Sequence, residues 1–259
     1  MQEQIDETLQ KLNPHCVLEL LAFPLDMEHR GKREEGLQGL QSILWAVGEG
    51  GAFAHIPGYT REDYMKEAFT HMTAAEQVAL FTSTPSNIPA ESSEVYSVAL
   101  AHVAEGFSSK KPYLIQEADN LFLQLQQTNA SSNAFAVGGS NASTDQQLDF
   151  AFERAMCQLL LGELDDCRAW LGLDDTNSPY REPAVTDFVI ANSYGTDEDV
   201  YLPGLCKLLE SWLREVVFPS FRETDQLQVK LRDYYDDSSV LNYLEKLEKG
   251  ESPLAAAAA

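Results

Sequence analysis

The sequence predicts an all-α chain, an irregular helical bundle or solenoid of about ten to twelve helices joined by short connections. Three observations predict it. Apolar residues recur at i, i+3/i+4 and i+7 along almost the whole chain, while the strict alternation of a half-buried strand is rare. Capping-box patterns stand immediately before apolar runs. Proline and glycine fall between those runs and seldom within them.

Ile5, Leu9 and Leu12 form the first stripe, and Pro14 is expected to break the helix before a second run of Val17, Leu20 and Leu21. Leu37, Leu40, Ile43, Leu44 and Val47 make the next stripe, which the Gly48–Gly51 cluster should end. Thr60-Arg-Glu-Asp63 and Thr73-Ala-Ala-Glu76 each place a hydroxyl where it can accept from a backbone N–H, with an acid three residues on to reach back. The helices they start carry Met65, Ala68, Phe69 and Met72, then Val78, Leu80 and Phe81. Pro85 and Pro89 separate these from a helix with Val95, Val98, Ala99 and Val103; Pro112 opens another with Leu114, Ala118, Leu121 and Leu125.

From Thr128 to Thr144 the stripe gives way to Asn, Ser, Gly and Ala around Gly138-Gly139, a composition that predicts a flexible loop. It divides the chain into an N-terminal helical part, 1–127, and a C-terminal one, 145–259, which can equally be read as one continuous domain. Leu148–Leu173 reads as a helical hairpin: Ala155, Leu159 and Leu160 on one helix, a turn at Gly162, then Leu164, Cys167, Trp170 and Leu171. Such a pair is tetratricopeptide-like, although no regular 34-residue period supports a repeat array. A helix around Val185–Ala191 follows. Leu205, Leu208, Leu209, Trp212, Leu213 and Val216 form the strongest stripe, with Trp212 in the core and Pro219 as the stop. Val240, Leu241, Leu244 and Leu247 make the last, stopped by Gly250.

An apolar fraction of 44% is enough to bury a core, which excludes wholesale disorder. With 41 acidic against 18 basic residues the net charge is -23, so nucleic acid and anionic membrane surfaces are poor partners. A basic peptide or a partner with a positive patch suits this surface better. No stretch reaches the ~20 apolar residues of a membrane span, and both ends of the chain read as cut from something longer.

Cys16, Cys157, Cys167 and Cys206 lack CxxC spacing and read as buried free thiols in a reducing compartment. That compartment makes the Asn129 and Asn141 sequons chance matches. The acidic clusters Asp165-Asp166, Asp174-Asp175, Asp197-Glu198-Asp199 and Asp236-Asp237 read as solvated helix caps; the third lacks the glycine and final glutamate of a calcium-binding loop. His15, His29, His55, His71 and His102 show no HExxH and no local pairing with Cys or Asp. Gly48-Glu-Gly-Gly51 lacks the Gly-Lys-Ser/Thr ending of a phosphate loop, and no serine stands in a nucleophile elbow. The expectation is therefore a protein-binding scaffold with no catalytic residue, no metal and no cofactor.

Several runs resemble one family in the same order along essentially the whole chain: Ile5-Asp-Glu-Thr-Leu9, Val17-Leu-Glu-Leu-Leu21, Ser42-Ile-Leu-Trp45, Met72-Thr-Ala-Ala-Glu-Gln-Val78, Thr84-Pro-Ser-Asn-Ile-Pro-Ala-Glu91, Asp166-Cys-Arg168 with Trp170-Leu-Gly-Leu-Asp174, Leu202-Pro-Gly-Leu-Cys-Lys-Leu-Leu-Glu210, Asp233-Tyr-Tyr-Asp-Asp237 and Ser252-Pro-Leu-Ala-Ala-Ala-Ala-Ala259. They look like the stromal region of the plastid division proteins named for accumulation and replication of chloroplasts, whose cyanobacterial relative is ZipN. The Thr128–Thr144 stretch departs most from that pattern. The resemblance implies a region on the stromal side of the inner chloroplast envelope that holds the tubulin-like GTPase FtsZ, through its C-terminal peptide, and couples the ring to other division factors. It assigns FtsZ contacts to no particular residue and leaves self-association open. A division-site-positioning paralogue shares the architecture. A co-chaperone fragment is the remaining alternative, and no His-Pro-Asp tripeptide occurs here to support it.

Overall fold

Pro14 does not end the first helix. In the computed structural model, which describes residues 2–45, 59–135, 150–193 and 200–249, α1 runs unbroken over Gln2–Ala22 with Pro14 inside it. An internal proline costs roughly 3 kcal/mol through one lost hydrogen bond and a ring clash. Burial from the proline onward offsets that cost: Pro14 itself is buried, and Val17, Leu18 and Leu21 follow it into the core. The carbonyl of Pro14 accepts from the Tyr64 hydroxyl at 3.3 Å. Leu12 of the expected stripe is about half exposed.

Among the described residues there are twelve α-helices and no strand. They fall into two compact units, Met1–Ala101 with Pro219–Gln226, and His102–Phe218 with Leu227–Ala259. None of the three points where the chain passes between them falls in the 128–144 stretch.

The first unit is built on α1, α2 (Arg30–Trp45), α3 (Arg61–His71), α4 (Ala74–Ser83) and the part of α5 (Ser92–Ser108) up to Ala101. Leu40 and Leu44 of α2 are buried, and α1 packs on both α2 and α3. Gly36 permits the close approach of α2 to α1: a Cβ there would meet Leu20 Cβ at 3.0 Å and Leu21 N at 3.1 Å. Val47 and the expected glycine stop at 48–51 lie outside the described residues. Thr60 caps α3 by accepting from Asp63 N–H, and at α4 both halves of the box form between Thr73 and Glu76. On α3 the box is half made, because the Asp63 carboxylate takes the Thr60 hydroxyl at 2.7 Å instead of reaching back to the backbone.

Two arginines close this unit. Arg33, 4% exposed, donates to the carbonyls of Leu21, Phe23 and His71 and pairs with Glu76 at 2.6 Å. Arg222 donates to the same three carbonyls at 3.3, 3.1 and 3.3 Å. The neighbouring Glu223 accepts from Ala74 N–H, at the N-terminus of α4.

The second unit holds the rest of α5, then α6 (Pro112–Phe135), α7 (Ala151–Leu160), α8 (Leu164–Trp170), α9 (Pro183–Ala191), α10 (Leu202–Trp212), α11 (Leu231–Tyr235) and α12 (Ser238–Glu248). Helix α6 corrects the loop expectation, since it continues through Phe135, well past Thr128. Asn, Ser and Ala cost only tenths of a kcal/mol each in a helix, and extending an established helix adds a bond per residue. Residues 136–144 lie outside the described ones.

The hairpin of α7 and α8 forms as read. Gly162 takes φ +79°, so that its N–H reaches Leu159 O at 3.0 Å and Glu163 N–H reaches Gln158 O at 2.9 Å, the pair of bonds that ends a helix in a left-handed residue. A buried ionic cluster ties α6 to it. Arg154 Nε pairs with Asp119 Oδ1 at 2.9 Å, Gln158 Nε2 donates to Asp119 Oδ2 at 3.1 Å, and the Arg154 guanidinium lies 4.1 Å from the centre of the Trp170 ring.

The α10 stripe holds through Leu213, but a π-turn over Leu213–Val217 follows and a 3-10 turn over Phe218–Ser220 after it. The wider turn advances the inward face by one residue. Val217 is consequently buried and Val216, expected inside, is 40% exposed. In α12 Val240 is buried and Leu241 exposed, because only a narrow stripe of that helix meets α6 and α11. The segment around α11, which the stripes overlook, supplies Tyr234, stacked on Phe107 at 5.0 Å, and Tyr235, whose hydroxyl donates to Leu159 O at 2.7 Å.

Two outcomes follow from this packing. Trp212 is 4% exposed and meets Phe152 edge to face, so Trp212→Ala should cost ~3–5 kcal/mol in urea unfolding; unchanged stability would place the indole outside the core. The His71 imidazole is held below the usual histidine range by burial first, then by Arg222 and Arg33, with Glu67 opposing them. The folded state therefore binds this proton less readily than the unfolded chain. The resulting stability is present above the unfolded value of ~6.5 and is lost as pH falls toward the lowered folded one. Melting temperature should drop across that acid window, and His71→Gln should flatten the slope there.

Candidate functional site

The phase of α3 decides what its outer face presents. Thr60 fixes the start of the helix, so Glu62, Met65, Lys66 and Phe69, spaced i, i+3, i+4 and i+7, lie along one side. Ser93, Tyr96, Ser97 and Leu100 do the same on α5. Between them, with Gln77 of α4 and the Ser220-Phe221 step, is a groove of about 450 Å³ within the first unit. This volume lies in the range of a small ligand or a few peptide side chains.

Its walls are apolar and aromatic, supplied by Met65, Phe69, Tyr96, Leu100 and Phe221. Its rim carries one exposed acid and one exposed base a helical turn apart, Glu62 and Lys66. Glu94, also at the groove, is 6% exposed and held by Arg61 through two bonds, Nε to Oε1 at 2.6 Å and Nη2 to Oε2 at 2.9 Å. That pair joins α3 to α5 and neutralises the buried carboxylate. Gln77, 1% exposed, donates from Nε2 to Phe69 O at 3.0 Å.

The residue types that carry chemistry elsewhere are dispersed. Among the described residues no three His, Cys, Asp or Glu side chains gather as a metal site would need. His15 contacts the Tyr59 hydroxyl, His29 pairs with Asp26 at 2.7 Å, His71 lies beside the two arginines and His102 is buried; His55 is outside the described residues. Cys157 and Cys167 are buried, Cys206 is half-buried, and Cys16 is exposed, against the buried reading. Burial pushes the Cys157 thiol well above its ordinary range. Asp165 is open to solvent, Asp174 pairs with Arg168, Asp175 accepts from Asn177 N–H, Asp236 pairs with Arg232, and Asp237 caps α12. Asp197-Glu198-Asp199 lies outside the described residues. No described helix is long and apolar enough to cross a membrane.

The groove itself was not legible as a site. Met65 and Phe69 read as ordinary core positions, and neither Gln77 nor Phe221 belongs to a stripe. The one available signal was the i, i+3, i+4, i+7 face of α3 mixing two apolar residues with two opposite charges. Removing Glu94 tests how the groove is held. Glu94→Ala would leave Arg61 without its carboxylate in a nearly dry position and should cost ~3–5 kcal/mol; a change under ~1 kcal/mol would mark the pair as a solvated one.

Residues 71–259 match the family described as the plastid division regulator alpha solenoid domain, and residues 1–57 match the plastid division regulator ARM repeat. A curated relative, the protein accumulation and replication of chloroplasts 6, chloroplastic, of Arabidopsis thaliana, is 55% identical over 260 residues. That alignment covers 100% of this chain and 32% of the relative, so the chain spans about a third of that protein's length. No solved structure matches. The all-α architecture agrees with the solenoid description, and the agreement of both family matches with a whole-chain relative leads to one conclusion: the chain belongs to the plastid division regulator family.

Proposed function

We propose that this chain is a non-catalytic scaffold of chloroplast division, a stromal helical region that binds FtsZ and helps to tether and stabilise the division ring at the inner envelope membrane. Family membership supports the division role, and the relative's description as chloroplastic supports the compartment. The observation that carries the binding mode is the groove beside α3, apolar within and charged at its rim. Helix-lined grooves take short segments through apolar anchors, with rim charges setting orientation and on-rate. The expected occupant is the C-terminal peptide of FtsZ.

Electrostatics favours a local handle over contact between whole surfaces. At a net charge of -23 the chain repels a generally acidic body such as FtsZ. At the groove, however, Arg61 cancels Glu94 and Lys66 stands beside Glu62. Binding there escapes most of the repulsion. Other division factors and a second copy of the chain are further partners of the same scaffold role.

The test is surface plasmon resonance of the chain against full-length and tailless FtsZ, with GTPase turnover measured alongside. Full-length FtsZ should bind, and removal of its tail should abolish the signal. Because exposed charges are screened beyond ~8–10 Å at physiological salt, affinity should fall less than about tenfold from low to moderate salt. Equal binding by tailless FtsZ would replace the groove with a contact to the globular domain.

A further inference from the structure

Arg222 carries a charge to which the first unit gives no full counter-charge. It converges with Arg33 on the carbonyls of Leu21, Phe23 and His71, so two guanidiniums share three acceptors. Glu76 pairs with Arg33 at 2.6 Å, whereas Arg222 pairs with no carboxylate among the described residues. Other acids of the unit act elsewhere: Asp26 on His29, Glu67 on the His71 imidazole and Glu223 on Ala74 N–H. All three Arg222 bonds leave from Nη1. Its Nε and Nη2 bond no described residue, and neither atom is sealed from solvent although the side chain is half-buried. Those two atoms form the planar fork that fits a carboxylate through parallel N–H···O bonds. The same edge already does so twice in this chain, in Arg61 on Glu94 and in Arg154 on Asp119.

We propose that the open edge of Arg222 is a docking point for a short acidic segment of a partner protein: one carboxylate takes Nε and Nη2, and an apolar side chain beside it packs on Leu25 and Met27. The proposal goes beyond the groove beside α3 and uses none of the residues that line it. The surroundings favour a peptide over a free anion. Phe23, whose carbonyl Arg222 bonds, is half-buried, and Lys32 Nζ lies 4.5 Å over its ring. Lys32 is exposed and pairs with no described carboxylate, so a second cation stands beside the same residue. In the connection that Phe23 opens, Leu25 is 43% and Met27 81% exposed. A small anion would use the charge and leave that apolar pair bare. The length of the segment follows from the charge of the whole chain. At -23 a long acidic surface is repelled, so the contact is confined to one or two acids among apolar residues.

The probe is an array of peptides about twelve residues long with a fixed central Glu next to Leu and the other positions randomised, set against a matched array with Gln at the centre. Both are exposed to the intact chain, and the strongest binders are measured by calorimetry. Binders should come from the Glu array, and exchanging their Glu for Gln should weaken them about tenfold, the effect of losing a charge-assisted contact. Arg222→Lys keeps the charge and loses the fork; it should weaken the Glu peptides about tenfold and shrink their advantage over the Gln peptides. Lys32→Gln, an exposed change, should weaken them by a few-fold and keeps the test open if Arg222→Lys does not fold. In the parent chain the Arg222 Nε–H resonance should shift on titration with the Glu peptide and stay in place with the Gln peptide. The proposal is overturned if the two arrays bind alike, if that resonance does not move, or if the Arg222→Lys and Lys32→Gln chains bind the peptides as tightly as the parent. Inorganic phosphate that moves the resonance with the affinity of the peptides would also overturn it, and assign a site for free anions instead.

Discussion

The last carbonyls of a helix must find donors, and at the end of α1 two arginines supply them. Leu21 O and Phe23 O have no following helical turn to bond to, so Arg33 and Arg222 converge on both, and on His71 O at the end of α3. Hydrogen bonds from a charged donor are worth ~1.5–3 kcal/mol each, more than neutral ones, and a helix C-terminus favours positive charge. Arg222 lies 201 residues beyond Leu21 in sequence. Its neighbour Glu223 bonds the opposite kind of helix end, the N-terminal N–H of Ala74 in α4. Two adjacent residues of opposite sign thus satisfy two helix ends of opposite polarity, and Pro219–Gln226 is held in the first unit. Phe221 and Ser220 reach the groove on that segment, so the groove depends on helix capping.

The second unit solves a different problem with the same economy. Helices α6, α7 and α8 could slide along one another if only leucines met. The carboxylate of Asp119, bonded by both Arg154 and Gln158 one turn apart on α7, admits a single register, because any other would strand a charge in a dry site. Trp170 from α8 covers the guanidinium. The π-turn after α10 and the Tyr234–Phe107 stack then set how the later segments close over that frame.

A strongly acidic surface and a locally balanced groove are two parts of one arrangement. The surplus of carboxylates keeps the chain soluble and discourages broad association with acidic bodies. On the proposed reading, selective attachment occurs where opposite charges offset one another, as Glu62 and Lys66 do at the rim of the groove beside α3. On the proposed reading, a short peptide handle would let a member of a plastid division regulator family built as an α-solenoid attach to a filament subunit without matching two large surfaces.

The helices, most of their buried faces and the family resemblance were determined by the sequence alone, because helix periodicity, caps and glycine stops act over a few residues. Leu40, Phe69, Val98, Leu159 and Leu209 are inside as their spacing requires. Tertiary structure decided whatever depends on partners distant in the chain. It kept Pro14 within α1, since burial of Val17 and Leu21 outweighed one lost bond. It turned Val216 outward through a π-turn that periodicity cannot anticipate. It buried Asp119, Arg154 and Gln77, polar residues whose partners lie on other helices. The groove could not be read in advance for the same reason: its walls come from α3, α4, α5 and Phe221, and only folding brings them together.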